Sequence, residues 1–332
     1  MTAQRFWKWL GRSRHTAGLA LVVVALFVAV AARYPQFASA AELRDSFDDT
    51  SILILLALGQ MLVMLTRAID LSVASSVALT GMCVALMNQA MPGVALPWLV
   101  LCAALLGATL GALNGLLVWQ LEIPPIVVTL GTLAIYRGAT YLVSQGRWVN
   151  SGDMSPLFLS LVRERWSGLT MLSWLAIAGV LLTACFLRYG VAGRSLYVAG
   201  NNPDAARSVG VDVGRMQCLA FVLNGVLAGL CGYLWVARYA VAYTAIASGF
   251  ELTVIAACVI GGVSIAGGSG TVFGVLLGCL FLGVIKNALP LLAVSPFWQT
   301  AISGAVIVTA AVLNAAGTRA RERQRILEMP SR

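Results

Sequence analysis

Charged side chains are scarce in this sequence of 332 residues: Asp, Glu, Lys and Arg together make up 11%, against about 25% in a typical soluble protein. Hydrophobic residues make up 60%, and the mean hydropathy is +0.88. The composition therefore predicts a polytopic membrane protein. The net charge of +9 does not indicate nucleic-acid binding, because the basic residues lie at the chain ends and between apolar runs, as membrane orientation requires.

The sequence also has little catalytic chemistry, with one histidine, His15, and two lysines, Lys8 and Lys286. A histidine-based metal site and a serine–histidine dyad inside the membrane are therefore excluded. Neither lysine follows a glycine, so the Gly-Lys pair of an ATP-binding P-loop is missing. We expect no catalytic residue, metal or cofactor in this chain, and ATP hydrolysis, if involved, must come from another chain.

Disulfides and zinc sites are not expected either. None of the seven cysteines forms a CxxC pair, and all lie within or beside apolar runs, which is typical of inert buried thiols. They are Cys83, Cys102, Cys185, Cys218, Cys231, Cys258 and Cys279.

Apolar runs of about 20 residues predict membrane-spanning helices. The fold class predicted is all-α, a polytopic integral membrane protein of about ten transmembrane helices. A short cytoplasmic tail, 1–15, precedes the transmembrane domain, 16–316, and a second tail, 317–332, follows it. The runs near 50–66 and 251–266 are short, which indicates that one of them is broken or tilted. The ten predicted spans are 16–33, 50–66, 71–89, 96–119, 125–143, 169–187, 216–236, 251–266, 270–289 and 297–316.

Basic residues at both ends predict the orientation. The N-terminus carries four of them without an acid, the C-terminus is rich in arginine, and an even number of spans puts both ends on one side. The positive-inside rule then places both termini in the cytoplasm. A cleaved signal peptide is the alternative for the first apolar run, because Ala38-Ser39-Ala40 resembles a cleavage site, but the run is long for a signal sequence.

A weak internal repeat runs through the chain. DLSVASSVALTG, beginning at Asp70, aligns without gaps to ELTVIAACVIGG, beginning at Glu251. Each copy precedes glycines spaced four apart, a pattern that lets another helix approach closely. In the predicted topology the two acids lie on opposite sides of the membrane, which is typical of inverted repeats in transporters; the repeat would relate spans 2–5 to spans 7–10. The glycines are Gly107, Gly111 and Gly115 in one half and Gly270, Gly274 and Gly278 in the other.

Arg67 and Asp70 interrupt apolar sequence between the second and third spans. We expect both at the inner membrane boundary, with Asp70 at the positive end of the third helix. Other polar residues fall inside predicted spans, where they face the bundle or a water path. The candidates for a substrate path are Asn114, Tyr136, Asn224 and Asn287. For each polar residue taken singly we favour interhelical hydrogen bonding, or snorkelling for Arg137 and Lys286.

The longest predicted cytoplasmic segment, 188–215, contains one helix signal. Asn202 suits an N-cap, Pro203 the first helical position and Asp204 the positive end of the dipole, while Gly210 can end the helix. This predicts one or two turns, from Pro203 to Val209, at the membrane surface. We interpret the segment as a docking surface for a soluble partner.

Four motifs resemble the permease subunits of bacterial ABC importers of the ribose/xylose type. They are IDLSVAS at 69–75, PPIVVTLGTLAIYRG at 124–138, GRSLYVAGNNPDAARSVGV at 193–211 and AACVIGGVSIAGGSGTVFG at 256–274. Within that family the sequence is most similar to rhamnose-import permeases and next to autoinducer-2 import permeases.

The resemblance implies a location in the bacterial inner membrane, a transport mechanism and a set of partners. A periplasmic binding protein would deliver a monosaccharide such as rhamnose, two permease chains would form the path as a homodimer or with a paralogue, and a cytoplasmic ATPase would drive alternating access. The coupling residues implied are Asn202, Pro203, Asp204, Ala205, Ala206 and Arg207. Autoinducer-2, ribose and xylose are alternative substrates. An ion-coupled secondary transporter is a second hypothesis and a membrane-embedded enzyme a third, disfavoured by the missing histidine.

Overall fold

The computed structural model describes residues 3–289 together with 291, 295, 298, 301, 304, 305 and 308, and it describes side chains from residue 16. The predicted tenth span, 297–316, and the C-terminal tail, 317–332, lie outside the described residues apart from isolated positions.

Helices dominate the described chain, and the strands are only two residues long. The helices are α1 (Ala3–Arg33), α2 (Ala40–Leu65), α3 (Val73–Ala90), α4 (Leu96–Gln120), α5 (Pro125–Ser144), α6 (Pro156–Arg163), α7 (Met171–Tyr189), α8 (Val191–Asn201), α9 (Pro203–Ser208), α10 (Val213–Tyr239), α11 (Phe250–Ile260) and α12 (Val272–Ala288). The strands are β1 (Val149–Asn150), β2 (Arg165–Trp166), β3 (Leu169–Thr170) and β4 (Val241–Ala242); β1 pairs antiparallel with β4, and β2 with β3.

Seven of the described helices are long and apolar enough to cross a membrane, namely α1, α2, α3, α4, α5, α7 and α10. The all-α, polytopic fold class is therefore confirmed. Helix α1 runs without interruption from Ala3 to Arg33, so the predicted tail and the first span share one helix.

Of the two short predicted spans, one belongs to a helix long enough to cross a membrane and the other does not. The run near 50–66 is the end of a continuous 26-residue helix, α2, which begins ten residues earlier where Ser39 caps it by accepting a hydrogen bond from the Glu42 N–H at 3.2 Å. The run near 251–266 forms an 11-residue helix only, because α11 ends at Ile260. The chain there enters a turn in which Gly262 has φ +82°, a conformation that favours glycine.

Helix α2 lies at the centre of the bundle, with every residue from Thr50 to Leu65 buried. A helix that is hydrophobic all round must be enclosed by other elements, and α2 packs against α7, α10, α11 and α12. Its neighbour α10 runs antiparallel to it. Gln217 near the start of α10 donates to the Thr66 carbonyl at 3.1 Å, and Arg238 near its end pairs with Asp49 at 2.9 Å.

The first predicted glycine ladder is a helix–helix contact between α4 and α10. A side chain at Gly107 would collide with the Gly225 carbonyl and would lie 2.7 Å from the Gly229 Cα, and side chains at Gly111 and Gly115 would also meet the α10 backbone. The close backbone approach that this spacing predicts is therefore confirmed.

The second ladder was predicted incorrectly in one respect. Gly270 lies in the turn before α12 and packs beside Val263, so only two of the three glycines share a helix. Gly274 and Gly278 hold α12 against α11, where a Cβ on Gly278 would be 2.9 Å from the Gly261 nitrogen. The first ladder therefore packs on α10, whereas the two helical glycines of the second pack on the C-terminal end of α11.

Helix directions agree with an inverted repeat. Asn224 bonds to Asp70, three residues before α3, and Val77 contacts Gly232, so α3 runs parallel to α10. Cys258 lies beside Ala57, and Gly268 bonds to Leu65, so α11 and the turn that follows it run parallel to α2.

Because α2 and α10 are antiparallel, α3 and α11 point in opposite directions. The packing partners also exchange, since α4 packs on α10 whereas α12 packs on α2. Both properties are expected when the two halves are inverted copies.

Candidate functional site

A short non-helical segment, 66–72, separates α2 from α3 and is called the break below. Arg67 adopts a left-handed conformation with φ +66°. Gln60, one turn before the end of α2, accepts from the Asp70 N–H at 3.1 Å and donates to the Asp70 carbonyl at 3.2 Å when its amide is oriented to match these partners. The returning segment therefore lies against the end of α2, and its backbone polar groups are satisfied inside the bundle.

Asp70 is the centre of a buried polar network. Its Oδ1 accepts from the Ser72 N–H at 2.8 Å and from the Ser72 hydroxyl at 2.6 Å, and its Oδ2 accepts from the Asn224 amide at 2.8 Å. The prediction that Asp70 serves the beginning of the third helix is thereby supported.

The Asp70 side chain lies inside the helix bundle, and its location at the membrane boundary stays a prediction. Asp70 is only 3% exposed, and Asn224 lies roughly 16 Å along α10 from Val213 at ~1.5 Å per residue. Three hydrogen bonds to the carboxylate compensate for its removal from water, which is what makes a buried acid tolerable here.

Three of the four predicted path residues belong to this network. Asn114 donates to the Ser72 hydroxyl at 2.8 Å, Tyr136 donates to the Leu110 carbonyl at 2.9 Å, and its hydroxyl lies 3.4 Å from Asn114 Oδ1. Asn224 is the third, and all three are buried. In this conformation they join α3, α4, α5 and α10 rather than line an opening. The Oδ1 of Asn224 has no hydrogen-bond partner within the described part of the chain.

The fourth path residue, Asn287, lies apart from the network on α12. Its Nδ2 is buried and has no partner among residues 16–289 and the isolated described positions.

Glu251, the counterpart of Asp70 in the repeat, lies in the first helical turn of α11. The loop just before α11 is held by Arg137. Arg137 of α5 donates from Nη1 to the Thr244 carbonyl at 3.0 Å and to the Ile246 carbonyl at 2.7 Å. Glu251 is close enough to interact electrostatically with Arg137. Arg137 therefore holds the turn that precedes α11.

The short helix expected after Asn202 is present as α9. Asn202 Oδ1 accepts from the N–H groups of Asp204 and Ala205, both at 3.2 Å. Gly210, with φ +82°, ends the helix, and the following Val211 N–H returns to the Ala206 carbonyl at 2.9 Å. Capping at both ends is therefore confirmed.

The segment 188–215 contains more helix than predicted from its sequence. An unpredicted helix, α8, occupies Val191–Asn201, so 188–215 forms a helix pair rather than a loop with one helix. The amphipathic spacing of Leu196, Ala199 and Gly200, all buried, is the signal that could have revealed it.

Helix α9 presents a polar face to the outside. Ala206 is fully buried against Ala199 and Val213, whereas the side chains of Asp204 and Arg207 are 92% and 65% exposed and pair with each other at 3.1 Å. Ala206 is therefore the anchor of α9, and the residues around it are available for contact.

Comparison with known proteins supplies the family. The family described as "Branched-chain amino acid transport system / permease component" matches residues 45–311. Its members are transport subunits, consistent with a non-catalytic chain.

Three curated relatives carry the name "Autoinducer 2 import system permease protein LsrC". The protein from Enterobacter sp. (strain 638) is 42% identical over 89% of this chain and 84% of its own length. The protein from Klebsiella pneumoniae subsp. pneumoniae is 40% identical over 88% and 84%, and that from Escherichia coli (strain SMS-3-5 / SECEC) 38% identical over 92% and 88%.

These relatives support the second of the two resemblances, autoinducer-2 import, and give rhamnose no support. No solved structure matches the chain. The family match covers most of the chain, including the break, the buried network and the helix pair α8–α9, and the relatives match it over nearly its full length. The chain belongs to the family of transport-system permease components, as a multi-pass membrane subunit of an ABC importer.

Proposed function

We propose that this chain forms the translocation path of an ATP-driven importer for autoinducer 2, with a monosaccharide as the alternative solute. The observation that carries the proposal is the near full-length similarity to autoinducer-2 permeases at 38–42% identity. The buried site is compatible with a polar, uncharged solute, because its amide, hydroxyl and phenol groups are hydrogen-bonding groups without net charge, and its one carboxylate is already hydrogen-bonded.

The helix pair α8–α9 is the proposed contact with the ATPase. A rigid element is needed to transmit force, and α9 is capped at both ends and anchored through Ala206. The exposed contact residues would be Asn202, Pro203, Asp204, Ala205 and Arg207, with Ala206 acting through packing rather than contact. ATP and magnesium would be bound by the ATPase.

The topology follows from this assignment. The face that carries α8–α9 would be cytoplasmic, as would both termini, and the face that carries the β2–β3 hairpin would meet a periplasmic binding protein. A second permease chain, identical or paralogous, would complete the path in the inner membrane.

We propose that the path residues contact the solute only in an open state of the network. Asn114, Tyr136 and Asn224 are bonded within one chain in this conformation, so they would meet the solute only after the network around Asp70 opens. We propose that the bonds of Asn224 to Asp70, of Asn114 to Ser72 and of Tyr136 to the Leu110 carbonyl hold the closed arrangement of α3, α4, α5 and α10. Asn287 stays a candidate path residue on α12.

Reconstitution tests the function directly. Vesicles containing this chain, its ATPase and its binding protein should accumulate labelled autoinducer 2 only when ATP is enclosed with the ATPase. Competition by unlabelled rhamnose, ribose and xylose would rank the alternative solutes. Uptake by this chain alone, driven by a proton or sodium gradient, would contradict the proposal and support a secondary transporter.

A pair of variants tests the docking surface within that assay. Arg207→Glu reverses an exposed charge on α9 and should lower solute-stimulated ATP hydrolysis severalfold. Arg163→Glu makes the same change at the C-terminal end of α6, on the proposed periplasmic face, and without the binding protein it should leave the affinity for the ATPase unchanged, whereas Arg207→Glu should weaken that affinity. Equal effects of the two variants would argue against α9 as the contact.

A further inference from the structure

The Arg67 guanidinium reaches from the break to the end of α8. Its Nε donates to the Gly200 carbonyl at 2.6 Å and its Nη2 to the Asn201 carbonyl at 3.0 Å. These are the last carbonyls of α8, which lack partners within the helix and carry the negative end of its dipole. Arg67 therefore caps α8 at the residue before the Asn202 cap of α9.

Other contacts fix the same junction. The Leu65 carbonyl accepts from the Gly268 N–H at 2.9 Å, and the Tyr197 hydroxyl donates to the Gly270 carbonyl at 3.0 Å. A side chain at Gly200 would collide with the Leu65 carbonyl. The end of α2, the end of α8 and the turn before α12 therefore meet around Arg67 with their backbones in contact.

The backbone of Arg67 supports a specific role. A non-glycine residue at φ +66° is strained and persists only where its surroundings hold it. Arg67 and Asp70 do not form an ion pair with each other among the described ion pairs. Instead Arg67 bonds outward to α8, and Asp70 bonds inward to Asn224 of α10.

We propose that Arg67 is a positioning residue that ties the helix pair α8–α9 to the buried network at Asp70. The proposal rests on the proposed function of α9 as the ATPase contact. A displacement of α9 is carried by α8 to Arg67, and from there through two intervening residues of non-helical chain to the Asp70 carboxylate. A nucleotide-driven movement of the ATPase at α9 would thereby be transmitted to the hydrogen bonds that hold α3, α4, α5 and α10 together.

Hydrogen exchange in the full-length chain, held in lipid nanodiscs without ATPase, tests the mechanical tie. Arg67→Met removes both hydrogen bonds and should raise exchange of the amides in 198–208 about tenfold, as the loss of two bonds implies. Arg67→Gly should do the same although it relieves the left-handed backbone, and Arg67→Lys should restore part of the protection. Arg188→Met, a charge loss at the end of α7, is the matched control and should leave 198–208 unchanged.

The second measurement is solute transported per ATP hydrolysed in the reconstituted importer. Arg67→Met should lower this ratio severalfold while ATPase binding is retained, with partial rescue by Arg67→Lys. Unchanged exchange, exchange raised uniformly through the chain, or raised exchange with an unchanged ratio would each overturn the proposal. Failure of the unaltered chain to show ATP-driven uptake would overturn the proposed function instead, and the exchange result would still report on the tie.

Discussion

Asp70 and Asn224 are separated by 154 positions in the sequence and joined by one hydrogen bond of 2.8 Å inside the helix bundle. The bond fixes the break before α3 against the middle of α10. Because α10 also packs on α2 and α4, this single contact ties the break to the most enclosed part of the molecule.

Removing the Asp70 carboxylate should destabilise the protein strongly. Asp70→Leu leaves the donors of Ser72 and Asn224 without an acceptor, at a cost of about 1–3 kcal/mol for each buried group. The free energy of unfolding in mixed micelles titrated with SDS measures the loss. Asp45→Leu is the matched control, because Asp45 makes an exposed ion pair and such pairs contribute about 0–1 kcal/mol; similar losses in the two variants would contradict the network.

Asp70→Asn should behave differently from Asp70→Leu. The Asn224 side chain can turn its unpartnered Oδ1 toward the new amide, so the bond between positions 70 and 224 can be kept. We expect most of the stability and normal assembly with the ATPase. Transport is measured separately, and a loss of transport at full stability would assign the negative charge to the transport cycle.

The α4–α10 contact predicts a contrast between glycines in neighbouring helices. Gly107→Ala places a methyl group against the Gly225 backbone and should lower the midpoint of thermal unfolding in detergent by several degrees. Gly131 and Gly138 of α5 have open space at the Cβ position, so alanine there should be neutral or stabilising by up to about 1 kcal/mol. Equal destabilisation at Gly107 and Gly131 would contradict the observed packing.

The cap of α9 predicts a local effect on coupling. Asn202→Ala removes the acceptor for the Asp204 and Ala205 N–H groups and should cost α9 about 1 kcal/mol, whereas Asn202→Asp keeps the acceptor. Solute-stimulated ATP hydrolysis should fall in the alanine variant and recover in the aspartate variant. Asn201→Ala is the control, since its side chain lies outside the cap; a loss there as large as at Asn202 would point away from the cap.

The hydrogen bonds of Arg137 predict a local effect on the turn that precedes α11. Arg137→Met frees the Thr244 and Ile246 carbonyls and should raise hydrogen exchange in the turn 243–249 without changing exchange in α9. The exposed Arg147, ten residues later in the chain, is the matched control as Arg147→Met. If the turn keeps its protection in Arg137→Met, the clamp does not order it.

Local patterns in the sequence predicted much of the fold correctly. Apolar runs located the seven described helices that are long enough to span a membrane, and the shorter apolar helices α11 and α12, because a membrane helix must be apolar over a length fixed by the bilayer. Capping chemistry located α9 because Asn202, Pro203 and Gly210 act on backbone groups within a few residues of themselves. The spacing of Gly107, Gly111 and Gly115 identified a close-packing face for the same reason, since helix periodicity alone puts them together.

Tertiary structure decided where the charged residues act. The sequence shows Arg67 and Asp70 three positions apart, which indicated a shared place at the membrane boundary. Their partners, Gly200 and Asn224, lie 133 and 154 positions away, and no local pattern encodes such contacts. Arg67 therefore caps α8 and Asp70 enters the bundle because the packing of α2, α8 and α10 supplies carbonyls to the one and hydrogen-bond donors to the other.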